Sequence, residues 1–262
     1  MGDLLTLSTD PINLTPTQLS YLIVFVVMGA STFLTVLEIF FAVPQRKNGT
    51  FAYLQSALMI ESAVNCIATY FYYFFLAKSL STNEAGIANF TRGLRSIDWL
   101  VTTPLMIGSL MYYYKYNDEQ CQTLLFTSKK TPKHQFSVPV ILALTMLMIL
   151  SGSEYIGQWA EEPMKRTATN LGLLISWACF GGIVYLLYEN FYKQSKTKHK
   201  QIVSWWFLSV WASYGIVRHL EILDGSSYQI TYNFLDLLSK GGFGAILWFI
   251  TQHIQAEGCI GV

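Results

Sequence analysis

Seven stretches of about twenty largely apolar residues take up most of this 262-residue chain, and that pattern leaves few folds open to it. They run over roughly 17–43, 52–77, 92–114, 136–157, 168–191, 201–223 and 229–254. Twenty helical residues span roughly 30 Å, the thickness of the hydrocarbon core of a bilayer. In lipid the backbone must satisfy its own polar groups, so each run is predicted to be a helix. The expected fold is an all-α integral membrane bundle of seven transmembrane helices, forming a single domain over 1–262. Composition agrees: 52% of residues are hydrophobic and 13% charged, against about 25% charged in soluble domains. That balance argues against a disordered chain and against a soluble enzyme. A net charge of +1 makes no electrostatic case for a nucleic-acid partner. Cys66, Cys121, Cys179 and Cys259 show neither CxxC nor Cys/His spacing, so neither a zinc site nor a disulfide framework is expected.

The loops suggest an orientation. Arg46, Lys47, Lys115, Lys129, Lys130, Lys133, Lys193, Lys196, Lys198 and Lys200 fall on one side, whereas Lys78, Arg92, Lys165, Arg166 and Arg218 fall on the other. The richer side is expected to be cytoplasmic, which puts the N-terminus outside and the C-terminus inside. The acidic start (Asp3, Asp10) lacks the basic region of a signal peptide. A multi-pass protein of the plasma membrane is the expected location.

Ionisable residues within such spans are expensive and usually functional. Here they are Glu38, Glu61, Arg95, Asp98, Asp236 and Lys240. Asp236 and Lys240 stand four apart and share a helical face; Arg95 and Asp98 stand three apart, and Thr102 follows Asp98 by one turn. Two acids and two bases in mid-membrane suggest one mutually compensating cluster. It could simply be an ion-pair network that pins helices together. Alternatively, a lysine shielded from water can form a Schiff base with an aldehyde, for which Asp98 and Asp236 would be counter-ions. Trp99, Trp177, Trp211, Tyr214, Met106, Met148 and Gly152 lie at similar depths and could line a slot for a flat, long, apolar ligand.

The run Arg95-Ser96-Ile97-Asp98-Trp99-Leu100-Val101-Thr102-Thr103-Pro104-Leu105 resembles the third helix of microbial (type 1) rhodopsins. Asp236-x-x-x-Lys240 followed by Gly-Gly-Phe-Gly resembles their retinal-bearing seventh helix, and Trp211-Ala212-Ser213-Tyr214 resembles their sixth. The resemblance covers all seven spans. It implies all-trans retinal on Lys240 as a protonated Schiff base, Asp98 as primary counter-ion and proton acceptor, and Asp236 as second counter-ion. It further implies that Arg95 couples the counter-ion to a proton exit path and that Thr102 hydrogen-bonds Asp98. Trp99, Thr103, Met106, Met148, Gly152, Trp177, Trp211 and Tyr214 would enclose the polyene, and an apolar Met106 suggests green absorption. Family members are sorted by three third-helix positions, here Asp98, Thr102 and Ser109. Asp-Thr resembles outward proton pumps, and the full Asp-Thr-Ser set is similar to some rhodopsins of giant viruses.

Two positions depart from the archaeal pumps. Gly215 stands where those have a kinking proline, and Ser109 where they have a carboxylate proton donor. A serine passes protons but does not store one at neutral pH. Ser109 lies roughly 16 Å along the helix from Asp98, at a depth where Glu61 could meet it, so Glu61 is a candidate donor. Glu38 is expected to snorkel to the interface. Glu154, His219, Glu221 and Asp224 are candidates for a release group that the resemblance does not assign. The expected function is a light-driven outward proton pump. The alternatives are a light-gated cation channel, for which one glutamate in the second span is few, and a sensory photoreceptor with a slow photocycle. The expected partners are the lipid bilayer, protons as the transported ion, and further copies of the chain in a trimer or pentamer.

Overall fold

The computed structural model describes residues 13–42, 51–115, 133–153, 161, 164–194, 198–220 and 225–256. Among these there are seven long helices. They are α1 (Pro16–Ala42), α2 (Phe51–Ser79), α3 (Glu84–Lys115), α4 (Lys133–Gly152), α5 (Met164–Asn190), α6 (Lys198–Leu220) and α7. The last has three parts: Gly225–Asp236, a π-helical turn at Leu237–Gly242, and Phe243–Ala256.

Local chemistry explains where several helices begin. At α1, Gln18 N–H donates to Thr15 Oγ1 at 3.3 Å and Thr15 N–H donates to Gln18 Oε1 at 2.9 Å. This is a reciprocal capping box, with Pro16 pre-set in the first helical position. The third helix begins eight residues before the expected 92. Asn83 Oδ1 accepts the Gly86 N–H at 2.9 Å and so caps a further two turns that polar Glu84 and Arg92 hide from an apolar-run reading. The sixth helix runs from Lys198 through Gly215 to Leu220.

Three of the helices, spanning Pro16–Phe40, Met164–Asn190 and Ser226–Gln252, satisfy strict length and apolarity requirements for crossing a bilayer. The remaining runs are diluted by polar groups that turn inward. Glu61, Asn65, Asp98 and Thr102 have no exposed surface, while the outward positions stay apolar. Phe33, Phe40, Leu174, Tyr185, Ile202, Trp205 and Phe249 are all more than 60% exposed, spread over four helices. A soluble monomer rarely shows so much apolar surface; a bundle in lipid must. The protein is therefore an integral membrane bundle, polar at its centre and oily at its rim.

Two buried apolar clusters fill the interior on either side of that centre. One packs Leu54, Leu58, Ile107, Leu110, Phe207 and Leu247 around the Ser109 end of α3. The other packs Tyr21, Met28, Tyr72, Phe75 and Ile87 around its start.

Candidate functional site

Lys240 is 1% exposed and sits within the π-helical turn of α7. Such turns cluster at functional sites because they break the regular backbone bonding. Its ammonium is in direct hydrogen-bonded contact with Asp98 Oδ2 of α3, and Asp236 Oδ1 lies 3.7 Å away. Arg95, 4% exposed, completes two positive and two negative charges inside the bundle. The balance makes their burial tolerable.

The two acids are bonded very differently. Asp236 accepts from four side chains: Trp99 Nε1 at 3.1 Å and Tyr214 Oη at 2.7 Å on Oδ1, Tyr72 Oη at 2.8 Å and Arg95 Nη1 at 3.1 Å on Oδ2. Among the described residues Asp98 accepts from Lys240 alone, and its buried Oδ1 has no partner. Thr102 bonds Asp98 as expected, but its hydroxyl donates to the Asp98 backbone carbonyl at 2.8 Å rather than to the carboxylate. That is the ordinary back-bond of a helical threonine, and one-turn spacing cannot distinguish it from a carboxylate contact. Arg95 likewise engages Asp236, its Nη1 donating to Oδ2 at 3.1 Å.

An apolar cavity opens beside Lys240. All eight residues expected to enclose a ligand line it: Trp99, Thr103 and Met106 from α3, Met148 and Gly152 from α4, Trp177 from α5, and Trp211 and Tyr214 from α6. Lys240 and Asp236 form its polar end. Two glycines hold its shape. A Cβ at Gly152 would lie 2.8 Å from Ser176 Oγ, and one at Gly215 would lie 2.7 Å from the Trp177 ring. The residue that replaces a kinking proline thus seats an indole against the backbone of α6. Sequence reasoning did not find Ser176, Phe180 or Ser239 in the lining, nor Tyr72 on Asp236. Being uncharged, they give no signal in an apolar run. A primary amine at the end of an aromatic slot, with carboxylates beside it, suits a long apolar aldehyde, which is the chemistry of a Schiff base.

Ser109 and Glu61 are both fully buried, and Ser109 lies beside the Glu61 carboxyl. The serine hydroxyl donates to the Ala57 carbonyl at 3.1 Å, while among the described residues neither Glu61 oxygen has a hydrogen-bond partner. Asn65, one turn along α2, donates to the Glu61 carbonyl at 3.1 Å and leaves its own Oδ1 without a partner. Glu38 accepts from Gln252 Nε2 of α7 at 2.6 Å, so it is tied into the bundle. His219 is exposed, and Glu154, Glu221 and Asp224 lie outside the described residues.

The sequence pattern of the family described as "Bacteriorhodopsin-like protein" matches residues 15–254. The chain belongs to that family. Members of the family bind retinal as a chromophore and serve as transporters, channels or sensors. Several solved microbial rhodopsins share the fold. The viral rhodopsin OLPVRII superimposes with a TM-score of 0.69 at 21% identity, covering 91% of this chain and 98% of that one. The rhodopsin of Exiguobacterium sibiricum gives 0.65 at 22% identity, covering 89% and 94%. The proton-pumping rhodopsin AR2 of the marine alga Acetabularia acetabulum gives 0.64 at 20%, covering 93% and 98%. No curated protein matches the chain by sequence.

Proposed function

We propose that this rhodopsin is a light-driven outward proton pump, oriented with its N-terminus outside and the Ser109 end of α3 toward the cytoplasm. All-trans retinal bound to Lys240 Nζ as a protonated Schiff base supplies the absorption of light and the change of shape that drives the cycle. Trp99, Trp211 and Tyr214 wall the slot, and Met106, Met148, Thr103, Gly152 and Trp177 complete it. The reading rests chiefly on one observation: the acid in contact with Lys240 Nζ keeps one oxygen without a partner, while the other acid is fully bonded. Asp98 is the acceptor that has room for a proton. Asp236, held by four donors, remains the fixed charge.

In this scheme the proton on Lys240 Nζ passes to Asp98 and leaves toward the Arg95 side. A replacement then reaches Lys240 from the Ser109 side. Glu61 is the candidate donor, because a carboxyl without a bonding partner, fully buried beside Ser109, can carry a proton where a serine cannot. Glu61→Gln is expected to slow recovery of the pigment about tenfold or more, and a small permeant weak acid should restore the rate. Flash photolysis across the visible band measures both. An unchanged recovery would remove Glu61 from the path.

The slot carries its own prediction. Gly215→Val must displace the Trp177 ring, since even a Cβ there falls at 2.7 Å from it. Pigment yield on adding retinal is expected to drop by more than half relative to Gly215→Ser, whose smaller side chain demands less movement, at roughly the 1–3 kcal/mol typical of overpacking. Equal yields would mean that the indole moves freely.

The deciding assay is light-induced pH change in retinal-supplied cells. Acidification of the medium that a protonophore abolishes is the expected result. Pigmented cells giving no pH change would overturn the pump. The unpartnered Glu61 and Asn65 atoms are also what a water-filled conduction path would use, so voltage-clamp recording is then the test for a cation channel.

A further inference from the structure

Arg95 is held by more than its ion pair. Its Nη2 donates to Asn233 Oδ1 at 2.7 Å and to Gln229 Oε1 at 3.1 Å, one turn apart on α7. Both amides are themselves anchored to α1. Asn233 Nδ2 donates to Ser20 Oγ at 2.7 Å, and Tyr21 Oη donates to Gln229 Oε1 at 3.4 Å. The guanidinium also lies between two rings, 5.5 Å from the centroid of Phe75 and 5.6 Å from that of Tyr232. Asn233 has no exposed surface and Gln229 is 2% exposed, so water does not compete for these bonds.

This arrangement fixes the guanidinium on both of its arms. Nη1 faces Asp236 and Tyr72, and Nη2 faces two neutral amide oxygens. To swing away from Asp236, Arg95 must also break two charge-assisted bonds between buried groups, the stronger kind of hydrogen bond. The amides take no proton themselves, so they hold the cation without becoming a store for what Asp98 releases. Among the described residues, the titratable and charged groups around them include Arg92, Arg95, Asp98, Asp236, Lys240, Tyr21, Tyr72, Tyr214, Tyr228 and Tyr232.

We propose that Gln229 and Asn233 are positioning residues that lock Arg95 onto Asp236, so that a fixed cation favours loss of the proton from Asp98 itself once Lys240 has been reprotonated from the other side. The timing part rests on the pump reading; the locking part does not. The proton balance is simple: one proton moves from Lys240 Nζ to Asp98, one enters from the Ser109 side, and the Asp98 proton then departs.

The test uses the full-length, retinal-loaded protein with a soluble pH-indicator dye under flash excitation, together with a titration of its colour in the dark. In the unaltered protein, uptake is expected to precede release. In the Asn233→Leu/Gln229→Met double variant, release is expected to fall still further behind uptake, because Asp98 without a fixed cation nearby holds its proton more tightly. The acid-induced colour transition is expected to move up by one pH unit or more, because a cation free to leave no longer favours two ionised acids. A merely structural role would lower thermal stability without moving that transition. Release before uptake in the unaltered protein would overturn the timing, whatever the variants do. An unmoved transition would overturn the lock. Should the double variant fail to form pigment, Gln229→Met alone, which keeps the shorter Asn233 bond, is expected to shift the transition by a smaller amount, and no shift again overturns the lock. A pigment that cycles without any dye signal would sink the pump reading, and the dark titration would still decide the lock.

Discussion

Replacing Asp98 by Asn is expected to abolish transport while leaving a coloured protein. The amide keeps the shape of the carboxyl but can neither accept the Lys240 proton nor balance its charge. Light-driven acidification should fall to about 1% or less, the scale on which a single positioned proton acceptor matters. The absorption band should move to the red, because an anion beside Lys240 Nζ stabilises positive charge at that end before excitation more than after it. Asp98 is the acid in hydrogen-bonded contact with Nζ, whereas Asp236 stands 3.7 Å away and is shared with Arg95. The same substitution at Asp236 should therefore act differently, turning an amide NH2 that cannot accept toward one pair of its donors, Trp99 and Tyr214 or Tyr72 and Arg95, and lowering pigment stability first. Normal pumping by Asp98→Asn would refute the assignment of the acceptor.

The second large effect concerns Lys240. Lys240→Ala is expected to give no visible band at any retinal concentration, since among the described residues no other amine lines the cavity beside the acids. It also removes one of the two cations of the buried cluster around Asp98 and Asp236. Losing one partner of a buried pair costs about 3–5 kcal/mol, because the remaining charge is stranded. Combining it with Asp98→Asn removes both members of the contact and is expected to recover most of that loss. Thermal unfolding of the colourless proteins measures the difference. If the double variant is no more stable than Lys240→Ala, the contact contributes little to the fold.

The parts legible in the sequence were those with a strong physical signal. A charge inside an apolar run is conspicuous, so Lys240, Asp98, Asp236, Arg95 and Glu61 could be singled out before any fold was known. The aromatic and methionine residues of the slot could be placed because the resemblance gave their register, and all eight line the cavity. Directions were harder. Spacing placed Thr102 next to Asp98 but not against its backbone oxygen, and it placed Arg95 near both acids without choosing Asp236. Tyr72, Gln229 and Asn233 were silent because neutral polar residues blend into a helical span until their partners on other helices are known. The start of α3 was hidden for the opposite reason: its first two turns are polar, and only the Asn83 cap reveals them.

The unequal filling of the two halves has an electrical consequence. Between Lys240 and the Arg95 end lies a dense chain of bonded polar groups, which polarise readily. Between Lys240 and the far end of α3, most of the interior is the apolar packing of Leu54, Leu58, Ile107, Leu110, Phe207 and Leu247, with Glu61 set into it. A transmembrane voltage falls most steeply where the medium polarises least. A unit charge crossing the whole field works against about 2.3 kcal/mol per 100 mV, and most of that work would be done on the apolar side. An opposing voltage should therefore slow the return of a proton to Lys240 far more than its departure to Asp98, making refilling the step at which this molecule senses the charge on its membrane.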